Sequence, residues 1–459
     1  MCPNWTNWTN RANWRVECAA EGRRRGVAGG GDFLYFCGLQ TDVMKIAIVH
    51  YRFFEGDGPE RYLFNIKEIL EREGHVTAVF SVANSRNLPS PYSRYFISSV
   101  GDDVYFDGSR MTPWRIVKSF ARMYWSPEAR RKFSDFLDDF KPDVVYALQY
   151  HNKISPSFIG AARKRCIPVV HRISDFQYMC PSALFFSRGR VCEDCLKGRS
   201  WSCVRQRCVH GSTAQSLVKL GAKKFHDKIG VTRMVDAFVV PSGFTLKKLE
   251  EYGIAPSKLN HIPTFFNPRE RVEEGDVTYG DYFVYVGRIS EQKGLRTLVE
   301  AFADTDMKLK IIGTSADSLA DELKRSLEGR SHRIEFLGYK PFGEIAPYLR
   351  GCRATIVPSE WYDNFPNSVL ESFGYGKAVI ASRIGSLTEM VADGATGLTF
   401  TPGDSADLRR AARRLLDDEP LARRLGHAAL KRSREEYSPE THYERLIDLL
   451  GRVTSPTDS

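Results

Sequence analysis

The sequence predicts an α/β protein with two doubly wound domains joined by a short linker. Short apolar strands alternate with amphipathic helical stretches along most of the chain, a pattern typical of parallel sheets covered by helices. With 459 residues the chain exceeds one ordinary core, so two domains are expected. A proline-containing stretch, HIPTFFNP at 261–268, separates two such series of strands. We therefore expect domains at 44–265 and 266–437.

The first series opens with the strand KIAIVH, residues 45–50, followed by a loop and a helix that begins near Pro59. Apolar residues keep one face of this helix buried, and Gly74 ends it. The strand VTAVFSV completes a βαβ unit, which implies a parallel sheet. The later strands of this series are DVVYAL (143–148), PVVHRI (168–173) and DAFVVPS (236–242).

The second series supplies the strands of the C-terminal domain, and a last amphipathic stretch follows it. That stretch, Glu440 to Leu450, could pack on either domain, and we expect the tail 438–459 to return to the N-terminal one. The predicted strands are YFVYVG (282–287), LKIIG (309–313), IEFLG (334–338), ATIVPS (354–359) and AVIAS (378–382).

Composition and charge narrow the class of protein. An apolar fraction of 42% and a charged fraction of 27% are typical of a soluble globular chain. The apolar runs are strand-sized, short of the ~20 residues that a membrane-spanning helix needs. The net charge of +10 suits a partner that carries phosphates, namely a nucleotide, an anionic lipid surface or a nucleic acid. Charge alone does not choose among these partners.

The segment 1–43 differs from the rest of the chain. It contains N-x-T sequons at Asn4 and Asn7 and an arginine run at 23–25, and it lacks the apolar core and cleavage site of a signal peptide. It is expected to be a disordered tail or a spurious extension, with Met44 as the natural start. A chain that begins at Met44 should therefore fold and bind ligand as well as the full chain.

A glycine loop follows the first strand. Gly56 and Gly58 lie between that strand and its helix, where backbone N–H groups and the helix N-terminus can approach a phosphate. The pattern is not G-x-G-x-x-G, and a turn of this kind often needs glycine for its geometry alone. Both interpretations stay open at this stage.

A basic loop leaves the first strand of the second series. The stretch YVGRISEQKG (285–294) places Arg288 and Lys293 beyond the carboxyl end of a strand, where open α/β sheets bind ligands. A guanidinium fork and an ammonium point charge together suit a diphosphate. An isolated pair of this kind is also typical of a solvated charged loop.

Two of the three carboxylates in the stretch PSEWYDNFPNSVLESFGYGKAVIAS are candidate ligand-binding groups. Asp363 precedes Glu371 by eight residues, and Pro366 is expected to begin the helix that carries Glu371. Two carboxylates and free amides suit the hydroxyls of a sugar and a ribose. Taken singly, each carboxylate could equally be an ordinary surface group. The donor-binding residues predicted between them are Phe365, Pro366 and Asn367.

These loops, in this order, resemble the retaining family-4 glycosyltransferases (glycosyl transferases group 1) of the GT-B fold. The resemblance covers most of residues 44–450 and includes GDGPERYLFNIKEILEREGH, VGRISEQKG, DNFPNSVLESFGYGKAVIAS and EMVADGATGLTFTPGD. It implies two Rossmann-like domains facing each other across a cleft. It also implies a nucleoside diphosphate sugar held mainly by the C-terminal domain and an acceptor on the N-terminal one.

The resemblance assigns roles to residues of this chain. Arg288 and Lys293 would bind the diphosphate, and Glu371 the ribose. Asp363 takes the place of the first glutamate of the family's Glu-x7-Glu pattern, one methylene shorter, and would contact the donor sugar. The loop at Gly56 and Gly58 would close over the phosphates.

Further residues follow from the same resemblance. His151, in QYHNKISPS, matches the histidine beside the reacting sugar carbon, although by itself it could be a structural or exposed histidine. Asp175 remains from a His-Asp feature that appears here as Ser174-Asp175. Gly338 and Tyr339 are candidates for contact with the base.

Five cysteines fall between Cys180 and Cys208. Cys192-x2-Cys195 followed by Cys203-x4-Cys208 could place four thiolates around a structural zinc. A reduced, partly buried cluster or occasional disulfides would explain the same spacing. Zinc bound by four thiolates would have no open position for chemistry and would therefore be structural. No cofactor is expected to be required for catalysis, because Arg288 and Lys293 would supply the cations at the diphosphate.

A basic and aromatic stretch, RMTPWRIVKSFARMYW at 110–125, could rest on an anionic membrane surface or form a surface helix with buried aromatics. The sequence as a whole predicts a cytoplasmic glycosyltransferase that acts on a glycan or lipid-linked acceptor, with peripheral membrane contact as a secondary hypothesis. The alternatives are another GT-B enzyme, such as a sugar-nucleotide epimerase or a phosphorylase, and a basic nucleic-acid-binding protein. No pyridoxal phosphate motif, stacking-aromatic motif or C2H2 spacing supports them, and no nucleic-acid partner is expected.

Overall fold

A computed structural model of the chain describes residues 43–56, 58–99, 120–151, 153–268 and 272–455. The prediction of two doubly wound α/β domains is confirmed, because the described residues form two parallel sheets of six strands each and one antiparallel ribbon of two strands. The predictions for residues 1–42 and for the 110–119 part of the basic stretch lie outside the described residues.

The first sheet belongs to the N-terminal half of the chain. Its strands are β1 (Lys45–His50), β2 (Val76–Phe80), β3 (Val144–Gln149), β4 (Val169–Arg172), β7 (Ala237–Val240) and β8 (Leu259–His261), and the ribbon is β5 (Phe186–Ser187) with β6 (Arg190–Val191). The helices of this half are α1 (Gly58–Arg72), α2 (Pro127–Phe140), α3 (Ile159–Arg163), α4 (Ser202–Arg205), α5 (Thr213–Ile229), α6 (Val231–Met234) and α7 (Gly243–Glu251). The strand order across the sheet is β2-β1-β3-β4-β7-β8.

The second sheet belongs to the C-terminal half. Its strands are β9 (Tyr282–Val286), β10 (Lys308–Ile312), β11 (Arg333–Gly338), β12 (Ala354–Val357), β13 (Val379–Ser382) and β14 (Gly397–Phe400). The helices are α8 (Leu295–Phe302), α9 (Leu319–Ser326), α10 (Phe342–Gly351), α11 (Asn367–Gly374), α12 (Leu387–Met390), α13 (Ser405–Asp417), α14 (Glu419–Glu436) and α15 (Pro439–Thr454). The strand order is β11-β10-β9-β12-β13-β14.

Both sheets are covered on two faces, which explains why their strands read as continuous apolar runs. In β1, Ala47 and Val49 point into one core, while Ile46 and Ile48 point into the core on the opposite face. The final helix α15 contributes Leu446 to the second of these cores. The C-terminal helix therefore lies on the first sheet after the second sheet is complete.

The sequence analysis missed the two ribbon strands β5 and β6 and two strands of the six-stranded sheets. Both of the latter lie at sheet edges. The segment Leu259–His261 is short and half polar, and Gly397–Phe400 begins with a glycine. That glycine is required by packing, since a Cβ at Gly397 would lie 2.0 Å from the carbonyl oxygen of Val379. Edge strands of this kind lack the apolar run that identified the central ones.

The strand order reverses once in each sheet, between β1 and β3 in the first and between β9 and β12 in the second. Loops at the carboxyl ends of the strands diverge at such a point and leave a crevice, which is where open α/β sheets bind ligands. The glycine loop and His151 follow β1 and β3, and the basic loop and Asp363 follow β9 and β12. Among the described helices, none combines the length and apolar character needed to cross a membrane.

Candidate functional site

The loops after β9 and β12 bring a lysine and an aspartate together. Lys293 Nζ lies 2.5 Å from Asp363 Oδ1, and the hydroxyl of Ser359 donates to the other carboxylate oxygen. Asp363 is only 5% exposed. A buried carboxylate with two partners is not an ordinary surface group, and Lys293 is not part of a freely solvated loop.

A glycine allows these two loops to meet. Gly294 has φ +69°, and a Cβ at this position would lie 1.8 Å from the carbonyl oxygen of Pro358. The backbone N–H of Glu360 donates to the carbonyl of Gln292 at 2.9 Å. Only glycine combines this conformation with this contact, so the backbone itself holds Lys293 beside Asp363.

Arg288 differs from Lys293 in its surroundings. Its side chain is exposed and forms no ion pair with the described residues, whereas its carbonyl oxygen accepts a bond of 2.6 Å from the Tyr285 hydroxyl. The guanidinium is thus free to bind an anion that enters the crevice. The loop therefore presents one paired and one unpaired cation at the switch point of the second sheet.

Glu371 is held by a residue of the other domain. Arg61 Nη2, on α1, lies 2.5 Å from Glu371 Oε1 on α11, and Glu371 is 3% exposed. Burial raises the pKa of Glu371, while the nearby charge of Arg61 opposes that shift. Arg61 was not among the predicted site residues, and its place in the first turns of the helix after the glycine loop was the only available signal.

The glycine loop also touches α11. A Cβ at Gly58 would lie 3.1 Å from Asn367 Nδ2, and a Cβ at Gly56 would lie 3.2 Å from Glu60 Cγ. Neither glycine has a left-handed φ, so backbone conformation does not by itself demand glycine here. Close approach to the N-terminus of α11, for which Pro366 is the N-cap, is the better explanation. Contact with phosphates stays a prediction.

His151 lies in a cluster of aromatic rings. Its ring stacks on Tyr150, with centroids 4.1 Å apart, and meets the edge of Tyr178 at 4.9 Å. Burial, followed by the charges of His171, His226 and Lys219, lowers its pKa well below the usual value, so the imidazole is neutral at neutral pH. Its Nε2 is buried without a partner in the described part of the chain.

Asp175 belongs to the same side of the N-terminal domain. It accepts bonds from the backbone and side-chain nitrogens of Gln177 at 2.9 and 3.1 Å. Burial raises its pKa, and Lys219 on α5 partly offsets that shift. Lys219 therefore acts electrostatically on both Asp175 and His151.

The remaining predicted residues are distributed around this crevice. The ring of Phe365 packs on Tyr437, with centroids 5.7 Å apart, rather than on either carboxylate. Gly338 ends β11 and accepts a backbone bond of 2.8 Å from Gly313, and the next residue, Tyr339, is 66% exposed. Their roles in binding the donor stay predictions.

Six of the eleven buried polar side-chain atoms that have no partner in the described ranges lie on or beside these loops. They belong to side chains at the ends of β1 and β3, in the first turn of α1, and on the loops after β9 and β12. Buried polar groups are almost always hydrogen-bonded, so such a group of atoms marks a place where a ligand would supply the partners. Within the described residues these atoms are His50 Nε2, Glu60 Oε2, Gln149 Oε1, His151 Nε2, Ser290 Oγ and Trp361 Nε1.

The four cysteines proposed as zinc ligands carry free thiols in this structure, so the disulfide alternative is not observed for them. The Cys203 thiol lies within hydrogen-bonding range of the Cys195 and Cys208 thiols. In the described ranges, however, no group of three or more His, Cys, Asp or Glu side chains is arranged to hold a metal ion. Zinc at Cys192, Cys195, Cys203 and Cys208 therefore stays a prediction.

Elemental analysis decides the zinc prediction. Any metal found in protein purified without added metal is expected to be zinc at about one per chain, because four thiolates at these spacings suit a structural zinc. A replacement of Cys352, which is buried in the other domain, by alanine should leave the metal content unchanged. A folded, metal-free chain would contradict the prediction.

The comparisons with known proteins concern the family of the C-terminal half and the fold of the chain. The family model "Glycosyl transferases group 1" matches residues 267–432. An uncharacterized glycosyltransferase of Methanocaldococcus jannaschii is 29% identical over 239 residues, which are 52% of this chain and 64% of that protein. The chain thus spans less than two thirds of the length of the first curated relatives that it matches.

Two solved structures share the fold. Sucrose-phosphate synthase from Thermosynechococcus elongatus has a TM-score of 0.63 at 18% identity, covering 89% of this chain and 99% of that one. HepE from Anabaena, solved in complex with UDP and glucose, has a TM-score of 0.61 at 15% identity, covering 89% and 100%. These likenesses establish the GT-B fold, with its two Rossmann-like domains. Residues 267–432 therefore form a glycosyl transferases group 1 domain.

Proposed function

We propose that this chain transfers a sugar from a nucleoside diphosphate sugar to a glycan or lipid-linked acceptor. The group of unpartnered buried polar atoms at the two switch points carries the proposal, because a ligand bound between the domains would satisfy them. The group 1 domain and the glycosyltransferases among its relatives favour this reaction over epimerisation, phosphorolysis or nucleic-acid binding.

Departure of the diphosphate leaves negative charge on its oxygens and positive charge at the sugar carbon. Fixed cations beside the phosphates stabilise that transition state. Arg288 is free to take one phosphate, and Lys293 is fixed by Asp363 at 2.5 Å. Two cations in these positions would let the reaction proceed without a divalent metal.

The carboxylates would bind hydroxyl groups. Arg61 opposes the rise in the pKa of Glu371 that burial causes, and in its ionised form this carboxylate would accept a strong bond from a ribose hydroxyl. Asp363 would accept from a hydroxyl of the donor sugar while it keeps its bond to Lys293. The sugar and the diphosphate would then be held by one connected set of charges.

His151 would lie beside the reacting sugar carbon. Its imidazole is neutral, so it would position the sugar through Nε2 rather than add a positive charge next to the developing one. Retention of the anomeric configuration belongs to this proposal and rests on the family resemblance. An acceptor on the N-terminal side would approach the face that His151 and Asp175 line.

The proposal extends to the cellular setting. Lipid-linked acceptors would bring this protein to a membrane surface from the cytoplasm, and the net charge of +10 would favour an anionic surface. The 120–125 part of the basic stretch is described, and Arg122 there is buried and paired with Glu128 rather than exposed to a surface. Membrane contact would therefore depend on other basic residues.

A screen of nucleotide sugars tests the proposed function. Each candidate donor is incubated with the full chain in the presence of a chelator, and release of nucleoside diphosphate is measured. At least one donor is expected to be consumed, faster when a mixture of glycan and lipid-linked acceptors is added. Absence of turnover with every donor, or turnover only with added divalent metal, would contradict the proposal.

Replacing His151 with alanine tests whether this histidine contacts the sugar of the donor rather than its diphosphate. Turnover should fall, while affinity for the free nucleoside diphosphate should stay nearly unchanged, since the free diphosphate has no sugar for His151 to touch. Calorimetric titration and initial rates measure the two quantities. A matched control is His332→Ala, an exposed histidine of the C-terminal domain, which should leave both unchanged. Loss of diphosphate binding, or full activity, in the His151 variant would show that its placement is wrong.

A further inference from the structure

The three residues Tyr362–Asn364 alternate in the domain that their side chains contact. Asp363 is held by the C-terminal domain: Lys293 and Ser359 bind its carboxylate, and the Ser386 hydroxyl donates to its carbonyl at 2.6 Å. Its two chain neighbours are held by the N-terminal domain. The position of the carboxylate therefore depends on contacts from both sides of the cleft.

Tyr362 contacts residues 180–208 of the N-terminal domain, which we call the cysteine-rich insert. Its hydroxyl donates to Glu193 Oε1 at 3.1 Å, and its ring packs against Phe244 and Phe185 with centroid distances of 4.6 and 6.1 Å. Glu193 lies between Cys192 and Cys195 and is itself fixed by Lys248 Nζ on α7 at 2.9 Å. The tyrosine side chain thus packs among Glu193, Phe244 and Phe185 of the N-terminal domain.

Asn364 repeats this arrangement on the other side of Asp363. Its Nδ2 donates to the carbonyl of Ile173 at 3.0 Å, and its Oδ1 accepts from Thr245 Oγ1 at 2.7 Å. Ile173 directly follows the last residue of β4, and Thr245 lies on α7. Both side-chain groups of the amide are therefore satisfied across the cleft.

From these contacts we infer that the cysteine-rich insert positions the Asp363 carboxylate, with Glu193 and Tyr362 as positioning residues. Asp363 has no freedom to shift along the chain while both neighbours are held by the opposite domain. The insert would thus couple the contact between the two domains to the geometry of the sugar-binding carboxylate. The consequence for turnover rests on the proposed function, whereas the consequence for local rigidity does not.

Two conservative variants test the inference. Tyr362→Phe removes only the hydroxyl and keeps the ring packed against Phe244 and Phe185. Glu193→Gln removes the negative charge and keeps the shape of the side chain. Each should lower kcat about tenfold, as expected for loss of a hydrogen bond to a charged group, with a smaller change in the donor KM. The effects of the two changes should be less than additive in the double variant, because both weaken the hydrogen bond from Tyr362 to Glu193, while Glu193→Gln also weakens the ion pair with Lys248.

A readout that does not require activity accompanies these rates. Amide hydrogen exchange of peptides covering 359–366 should be several-fold faster in both variants than in the unaltered full chain. Tyr252→Phe serves as the matched control, since it also removes a tyrosine hydroxyl from a carboxylate, that of Asp227, within the N-terminal domain. It should change neither the exchange of 359–366 nor kcat.

The outcomes separate the two levels of the argument. Faster exchange in both variants supports the positioning role, even if the unaltered chain turns over no donor and the proposed function fails. Unchanged exchange of 359–366 in Tyr362→Phe and Glu193→Gln overturns it, and so does wild-type kcat in an active enzyme. Equal effects in Tyr252→Phe would also overturn it, because the effect would then not be specific to the cleft.

Discussion

Replacing Lys293 with alanine is expected to lower turnover by about 10²-fold or more. Fixed charges that meet the negative charge of a leaving group have effects of this size, because they act in a water-poor site and need no reorganisation during the reaction. Lys293 is 18% exposed and already oriented by Asp363. Initial rates with a saturating donor give the measurement.

The same change leaves Asp363 buried without its cation, which destabilises the fold as well as the transition state. The double variant Lys293→Ala with Asp363→Asn removes the orphaned charge and should recover thermal stability without recovering turnover. Arg296→Ala, three residues further along, removes an exposed cation that pairs with Glu291 and Glu322 and should be close to wild type. Recovery of turnover in the double variant would contradict the assigned role.

Replacing Glu371 with alanine is expected to weaken donor binding by about 10- to 100-fold, the range for loss of a hydrogen bond to a charged group. The cost to stability should be smaller, because its partner Arg61 is 34% exposed and can turn to water. Equilibrium titration with the donor gives the affinity. An unchanged affinity would exclude Glu371 from the binding site.

Arg61 makes the charge of Glu371 less sensitive to a fall in pH. Burial raises the pKa of Glu371 and Arg61 opposes the shift, so Arg61→Gln should let the carboxyl take up a proton at a higher pH than in the wild type. As the pH is lowered, the donor affinity of this variant should therefore begin to fall at a higher pH than the donor affinity of wild type. Arg72→Gln, on the same helix and exposed, is the control. Parallel pH profiles for all three proteins would contradict the explanation.

The central strands could be predicted from sequence because both faces of each sheet are covered. Burial on two faces turns a strand such as Val379–Ser382 into an apolar run that stands out from its surroundings. The edge strand Leu259–His261 has polar residues and no such run. Local patterns therefore identified the layers of each domain but not the full width of its sheet.

The candidate site shows the same division between local and distant information. Arg288 and Lys293 were predicted because the carboxyl ends of parallel strands are a known place for ligands, and Asp363 and Glu371 because they flank the start of a helix. The partner of Glu371 was not found, since Arg61 lies in the other domain and nothing in its own surroundings distinguishes it from a surface cation. The hydrogen bond from Tyr362 to Glu193 was also missed, because these two residues lie in different domains.

Equilibrium titration of the full chain with nucleoside diphosphates, in the presence of a chelator, tests the central claim most directly. At least one of UDP, ADP and GDP is expected to bind at about one site per chain, and Lys293→Ala should weaken that binding strongly because one of the two phosphate cations is gone. Binding of none of them to the wild type, or equal binding to Lys293→Ala, would contradict the claim that the cleft between the two domains holds a nucleotide sugar.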